Sequence, residues 1–214
     1  VSKIKAVLFD LDGTLRDTRE LIYASLDHAF RGLGLASPTR AELLPYIHHH
    51  MFVHEKFAGS VDFKKFEQAY VSKVDELLPQ VKMYLKAQEV LGELQRAGYK
   101  LGLVTGARRA QEAAEKYGIA EYLDVIVGAR EITKHKPDPE GLQLALQQLG
   151  ILPNQVVYVG DLAVDAKAAQ TADLRAFIGI THGFATAAEL KAAGADYIID
   201  SLAELPAVIK KIEQ

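Results

Sequence analysis

Cysteine is absent from all 214 residues. That excludes disulfides and thiolate metal sites and fits a reducing compartment. Basic charge is in short supply: 25 Lys and Arg face 28 Asp and Glu, a formal net charge of −3. The isoelectric point is near 6.2. A chain without a basic field is a poor candidate for binding nucleic acid or an acidic membrane surface. No apolar run has the length of a membrane span, and the first ten residues place Lys3, Lys5 and Asp10 around a strand, unlike a signal peptide. The expectation is a cytoplasmic protein. Internal repeats and low-complexity tracts are also missing. What remains is ordinary globular material, 49% hydrophobic and 25% charged, enough for one large domain or one domain carrying a smaller inserted one.

The most informative stretch is Lys5-Ala6-Val7-Leu8-Phe9-Asp10-Leu11-Asp12-Gly13-Thr14. An apolar run of strand length ends in two carboxylates one residue apart, followed by a glycine that permits a sharp turn. In extended backbone Asp10 and Asp12 point the same way. Two crowded acids repel and call for a cation, and magnesium suits all-oxygen ligands. The competing reading is a plain turn or helix cap after a buried strand, where Asp-Gly is common.

Asp17 and Glu20 have the spacing of a capping box, so a helix is expected to start there and to end at Gly32 and Gly34. From Ser37 to about Pro79 no strand is expected. Helices are predicted around Glu42, around Phe52 and from Val61 to Leu78, the last with Phe63, Phe66, Tyr70, Val74 and Leu77 on one face. From Tyr84 onward helices and strands alternate. Strands are predicted at 99–104, 125–127, 156–159, 175–178 and 197–199, with helices at 85–97, 108–117, 139–149, 165–171, 187–193 and from Leu202. This alternation implies an α/β fold with a doubly wound parallel sheet, in which ligands bind beyond the carboxyl ends of the strands.

Four features lie at such ends. Besides Asp10 and Asp12 they are Thr105 with Gly106, offering a hydroxyl and close-approaching amides to a phosphoryl oxygen; Lys136, ahead of Pro137; and Asp161 with Asp165, where a strand turns into a helix. Each has an ordinary alternative: a turn residue for Thr105, a solvated surface charge for Lys136, an N-cap for Asp165.

Taken together these segments resemble the haloacid dehalogenase superfamily, and in particular its phosphoglycolate phosphatase and phosphoglucomutase branch. The family's first motif reads Asp10-Leu11-Asp12-Gly13-Thr14; the second-motif hydroxyl is Thr105; the third-motif lysine before proline is Lys136; the fourth motif is Gly160-Asp161 with Asp165. The tail through Gly179–Gly183 and Ala193–Asp200 is also similar to that branch. The resemblance implies a Rossmann-like core at 1–16 and 82–214 and an inserted helical cap domain at 17–81. It implies a magnesium-dependent phosphatase of a small phosphorylated metabolite, monomeric or homodimeric. Asp10 would be the nucleophile and Asp12 the acid and base; Asp10, the Asp12 carbonyl and Asp161 would hold Mg2+, with Asp165 beside or on the metal; Lys136 would hold both the nucleophile and the phosphoryl group, and Thr105 and Gly106 the latter.

Two departures stand out: Leu162-Ala163 after Asp161, where many relatives have a small hydroxyl residue, and Thr171-Ala172-Asp173 ending the next helix. His48, His49, His50 and His54 could be metal ligands, since His50 and His54 share a helix face, but the surface or cap-core reading is preferred. Arg16, Arg108 and Arg109 could contact an anionic leaving group or be solvated. The rivals to a phosphatase are a phosphoglucomutase-type transferase and a catalytically silent phosphate-binding protein.

Overall fold

The computed structural model describes residues 3–214. In chain order its regular elements are β1 (Ala6–Phe9), α1 (Arg19–Gly32), α2 (Arg40–Leu43), α3 (His50–Phe57), α4 (Phe63–Leu77), α5 (Ala87–Arg96), β2 (Lys100–Val104), α6 (Ala110–Lys116), β3 (Val125–Val127), α7 (Glu140–Leu149), β4 (Val156–Gly160), α8 (Ala163–Thr171), β5 (Ala176–Ile180), α9 (Ala187–Ala192), β6 (Tyr197–Ile199) and α10 (Leu205–Ile212), with short 3-10 turns between some of them. The chain divides into two compact units, Val1–Arg16 with Met83–Gln214, and Asp17–Lys82. Lys82 falls with the inserted unit, where its carbonyl accepts from the Asp17 N–H at 2.9 Å.

The larger unit is a six-stranded sheet in the order β3-β2-β1-β4-β5-β6, with every pairing parallel. This is the α/β, doubly wound architecture expected. β1, β4 and β5 are buried on both faces, which is why they read as unbroken apolar runs rather than alternating ones. One core forms on each side of the sheet. On one side Val7, Phe9, Leu101 and Leu103 meet Leu91 and Leu94 of α5 and Ile209 of α10. On the other, Leu8, Val156 and Phe177 meet Leu142 and Leu146 of α7 and Ala166 and Ala169 of α8. β1 is central, paired with β2 on one side and β4 on the other. The residues after these three strand tips are Asp10, Thr105 and Asp161.

The smaller unit is helical. Phe30 of α1 and Phe66 of α4 meet edge to face, 5.3 Å between centroids, and Phe66 is fully buried. The capping box expected at Asp17/Glu20 does not form. Thr18 is the N-cap residue of α1 and makes no side-chain cap, Asp17 Oδ1 accepts from Arg19, and Glu20 is held instead by the Arg40 guanidinium at 2.6 and 2.7 Å. A bidentate charged pair outcompetes a neutral N–H for the same carboxylate. The histidine cluster is built into this unit's packing. His54 Nε2 lies 2.7 Å from the Val61 carbonyl, and the His49 ring accepts from Met51 N at the start of α3. His50 stacks with the rings of both Phe63 and Tyr70. Among the described residues the group of three or more side chains able to share a metal lies elsewhere, at Asp10, Asp161 and Asp165.

Candidate active site

Asp10 leaves the end of β1 with its N–H on the Val159 carbonyl of β4 (2.9 Å). Burial presses it among acids: Asp10, Asp161 and Asp165 are 5%, 0% and 1% exposed. Each can offer one oxygen so that all three lie within 4.8 Å of one another. Lys136 enters this cluster from the loop before α7. Its Nζ is 2.6 Å from Asp10 Oδ1, 2.6 Å from Asp165 Oδ1 and 3.1 Å from the Tyr158 hydroxyl. The ammonium has three donors, and these three partners match them in number. Lys136 is thus far from a solvated surface charge.

Asp165 is on the first turn of α8, which begins at Ala163, two residues earlier than expected. Its second oxygen accepts from Leu162 N at 3.0 Å. The capping alternative for Asp165 is therefore partly realised, while Oδ1 orients the lysine. Asp161 is gripped at both oxygens, by the Thr14 hydroxyl at 3.0 Å and by Phe184 N at 2.8 Å. Gly13 and Gly183 make room for it: a methyl at either would overlap the Asp161 carboxylate, and Gly13 also has φ +87°. Thr105 is 3% exposed and its hydroxyl oxygen accepts from Ala107 N (3.2 Å).

The electrostatics follow from desolvation. Burial pushes the Asp10 carboxyl up to about 7, with the neighbouring Asp165 and Asp12 charges adding to the effect and Lys136 opposing it. Burial, then Asp165 and Asp10, hold Asp161 well above the ordinary carboxylate range. For Lys136 burial works toward the neutral amine, but Asp10 and Asp165 outweigh it and the ammonium is strongly favoured. One ammonium among three buried acids leaves an excess of negative charge, and the all-oxygen donor set is of the kind that hard divalent cations occupy.

Two site residues were not anticipated. Tyr158 is fully buried on β4; its hydroxyl donates to the Val104 carbonyl at 3.0 Å and touches Lys136. A tyrosine inside an otherwise aliphatic strand needs a hydrogen-bond partner, and that was the available signal. His182, in the loop after β5, places Nε2 3.0 Å from the Thr14 carbonyl and stacks on Tyr84 at 3.6 Å. Arg16 was expected to meet an anionic leaving group or solvent. It is buried rather than solvated, and it forks onto Asp12. Arg108 and Arg109 are exposed, and Arg109 lies 3.5 Å from Glu112.

Acids just past the tips of the adjacent central strands β1 and β4, with a lysine bridging Asp10 and Asp165, make up the site, and comparison with known proteins gives its class. The haloacid dehalogenase-like hydrolase family model matches residues 7–178, and the chain belongs to that family, among its phosphatases. It is 33% identical over 212 residues to the pyrophosphatase PpaX of Bacillus velezensis, covering 95% of each chain. Among solved structures it is similar to a haloacid dehalogenase-like hydrolase from Bacteroides fragilis, with TM-score 0.85, 29% identity, and 95% and 100% of the two chains covered. A predicted phosphatase from Clostridium acetobutylicum gives TM-score 0.81 and 26% identity, with 98% and 100% covered. No helix among the described residues is long and apolar enough to cross a membrane.

Proposed function

We propose that this chain is a magnesium-dependent phosphatase of a small phosphorylated metabolite or of pyrophosphate, working through an aspartyl phosphate on Asp10, with the inserted helical unit serving as a cap. The observation that carries this reading is the buried triad of acids with Lys136 bridging Asp10 and Asp165 at 2.6 Å. Asp10, the main-chain carbonyl of Asp12 and Asp161 are the groups that would hold Mg2+. Asp165, whose oxygens accept from Lys136 and Leu162 N, would stand beside the ion or complete its ligands. When bound, the ion supplies positive charge that offsets the repulsion between these acids and an anionic substrate.

In the first half-reaction Asp10 attacks phosphorus, the bond to the leaving oxygen breaks, and Asp12 passes its proton to that oxygen. In the second, water attacks the same phosphorus, gives its proton to Asp12, and the Asp10–phosphorus bond breaks to release phosphate. Lys136 favours the ionised form of the nucleophile against the effect of burial and faces the transferring group, to which Thr105 and the backbone at Gly106 donate. The relatives named pyrophosphatase make pyrophosphate a substrate to test beside phosphate esters.

The test is phosphate release from 2-phosphoglycolate, sugar phosphates, 4-nitrophenyl phosphate and pyrophosphate, with and without magnesium, for the native chain and Asp10→Asn. Magnesium-dependent turnover lost in Asp10→Asn supports the reading. Hydrolysis that needs no sugar acceptor separates it from a transferase, and phosphate binding without any turnover would establish the silent binder instead.

A further inference from the structure

Arg16 is the last residue of the α/β unit before the chain enters the inserted one. Its Nε lies 2.7 Å from Asp12 Oδ1 and a terminal nitrogen 3.1 Å from Oδ2, so one guanidinium edge meets both carboxylate oxygens. This is the bidentate geometry that fixes a carboxylate's plane as well as its position. The arginine is itself held. Its N–H donates to the Leu11 carbonyl at 3.0 Å and its carbonyl accepts from Gly13 N at 2.9 Å, on either side of Asp12. The guanidinium carbon lies 5.6 Å from the centre of the Tyr117 ring, and the residue is only 8% exposed. The Asp12 side chain is more open, at 25%. Each of its oxygens retains a second lone-pair site beyond the arginine fork.

We propose that Arg16 is the positioning residue for Asp12: it aims the carboxylate at the leaving-group oxygen and has no contact with substrate of its own. The inference rests on the reading of Asp12 as the group that moves the proton. A rigid donor fork on a rigid loop supplies orientation, and small losses of orientation are costly in proton transfer, on the order of 10²-fold per ångström of misplacement. Its signature is leaving-group dependence. An alkoxide needs a proton as its bond to phosphorus breaks, whereas nitrophenolate departs without one.

The experiment compares kcat/KM of native, Asp12→Asn, Arg16→Met, Arg16→Lys and the Asp12→Asn/Arg16→Met pair on 4-nitrophenyl phosphate and on the alkyl phosphate turned over fastest in the panel above, with magnesium present. Thermal unfolding of each variant is measured alongside. Expected is a loss in Arg16→Met at least tenfold greater on the alkyl ester than on the aryl ester. Arg16→Lys should show a smaller difference of the same sign, and the double variant should lose no more than Asp12→Asn alone. Equal losses on both esters in Arg16→Met, tracking its fall in stability, would make Arg16 a structural residue and overturn the proposal while leaving Asp12's role intact. If Asp12→Asn itself shows no leaving-group dependence, the underlying reading of Asp12 fails instead. Should Arg16→Met not fold, Arg16→Lys carries the same comparison.

Discussion

Lys136 and Asp165 stand 29 residues apart in sequence and 2.6 Å apart in space, and Asp165 is 1% exposed. The lysine therefore has a buried counter-ion besides the proposed nucleophile, and keeps its place when Asp10 changes state. Lys136→Met preserves the stem but strands two buried acids, and breaking such a pair costs about 3–5 kcal/mol. The urea midpoint should fall accordingly at pH 8 and fall less at pH 5, where the acids can take up protons. Phosphatase activity should be lost at both pH values. Unchanged stability at pH 8 would contradict the burial argument.

The Tyr158 hydroxyl joins that same lysine to the tip of β2 through the Val104 carbonyl. Tyr158→Phe keeps the ring volume and removes one hydrogen bond at each end. A stability loss of about 1 kcal/mol is expected, together with roughly a tenfold fall in kcat as Lys136 and the residue after Val104, Thr105, lose a common support. Equilibrium unfolding and steady-state kinetics on one preparation check both. A kcat equal to that of the native chain would restrict Tyr158 to packing.

Gly183 lies against Asp161 so closely that a methyl there must displace the carboxylate. Gly183→Ala should therefore act on the cation requirement. The magnesium concentration for half-maximal activity is expected to rise severalfold, with a smaller change in the rate at saturating magnesium. A magnesium titration of activity decides it. An unchanged half-maximal concentration would remove Asp161 from the proposed metal ligands.

Much of the sheet and its edge is legible in the sequence. Strands buried on both faces read as aliphatic runs, and the glycines and acids that stop them, Gly13, Gly160 and Asp161 among them, mark the sheet edge where Asp10 and Lys136 meet. That Lys136 reaches Asp10 across 126 positions came from the family resemblance alone; no periodicity encodes it. What stayed hidden were contacts set by loop shape. Arg16 is four residues after Asp12, a spacing that pairs side chains on a helix, yet the segment is a tight loop in which Asp12 and Arg16 form a bridge. The Tyr84–His182 stack joins residues 98 apart, from two loops that sequence marks only as connections. Asp17 and Glu20 carried the right spacing for a capping box, but Arg40, twenty residues on, took Glu20: local pattern yielded to a tertiary ion pair.

The raised carboxyls make stability depend on pH with a definite sign. Asp10 in the unfolded chain loses its proton near the ordinary value of 3.8, and in the folded protein near 7; Asp161 shifts in the same direction. Between those values the folded state binds more protons than the unfolded one, so stability falls as pH rises. The contribution of Asp10 is complete below about pH 4 and is lost as pH passes through 7. The surface acids Glu20, Glu42, Glu140 and Glu189 are shifted down from 4.5 by hydrogen bonds, an effect of opposite sign that is complete once pH rises past that ordinary value, so a comparison of pH 5 with pH 8 is little affected by them. A divalent cation competes with these protons for the same oxygens. In EDTA the Tm should drop between pH 5 and pH 8, and the increase in Tm on adding magnesium should be small at pH 5 and grow toward pH 8. Asp161→Asn should reduce that growth. Thermal scans at four pH values, with and without magnesium, measure all of it, and a magnesium effect independent of pH would mean that the ion binds away from the buried acids.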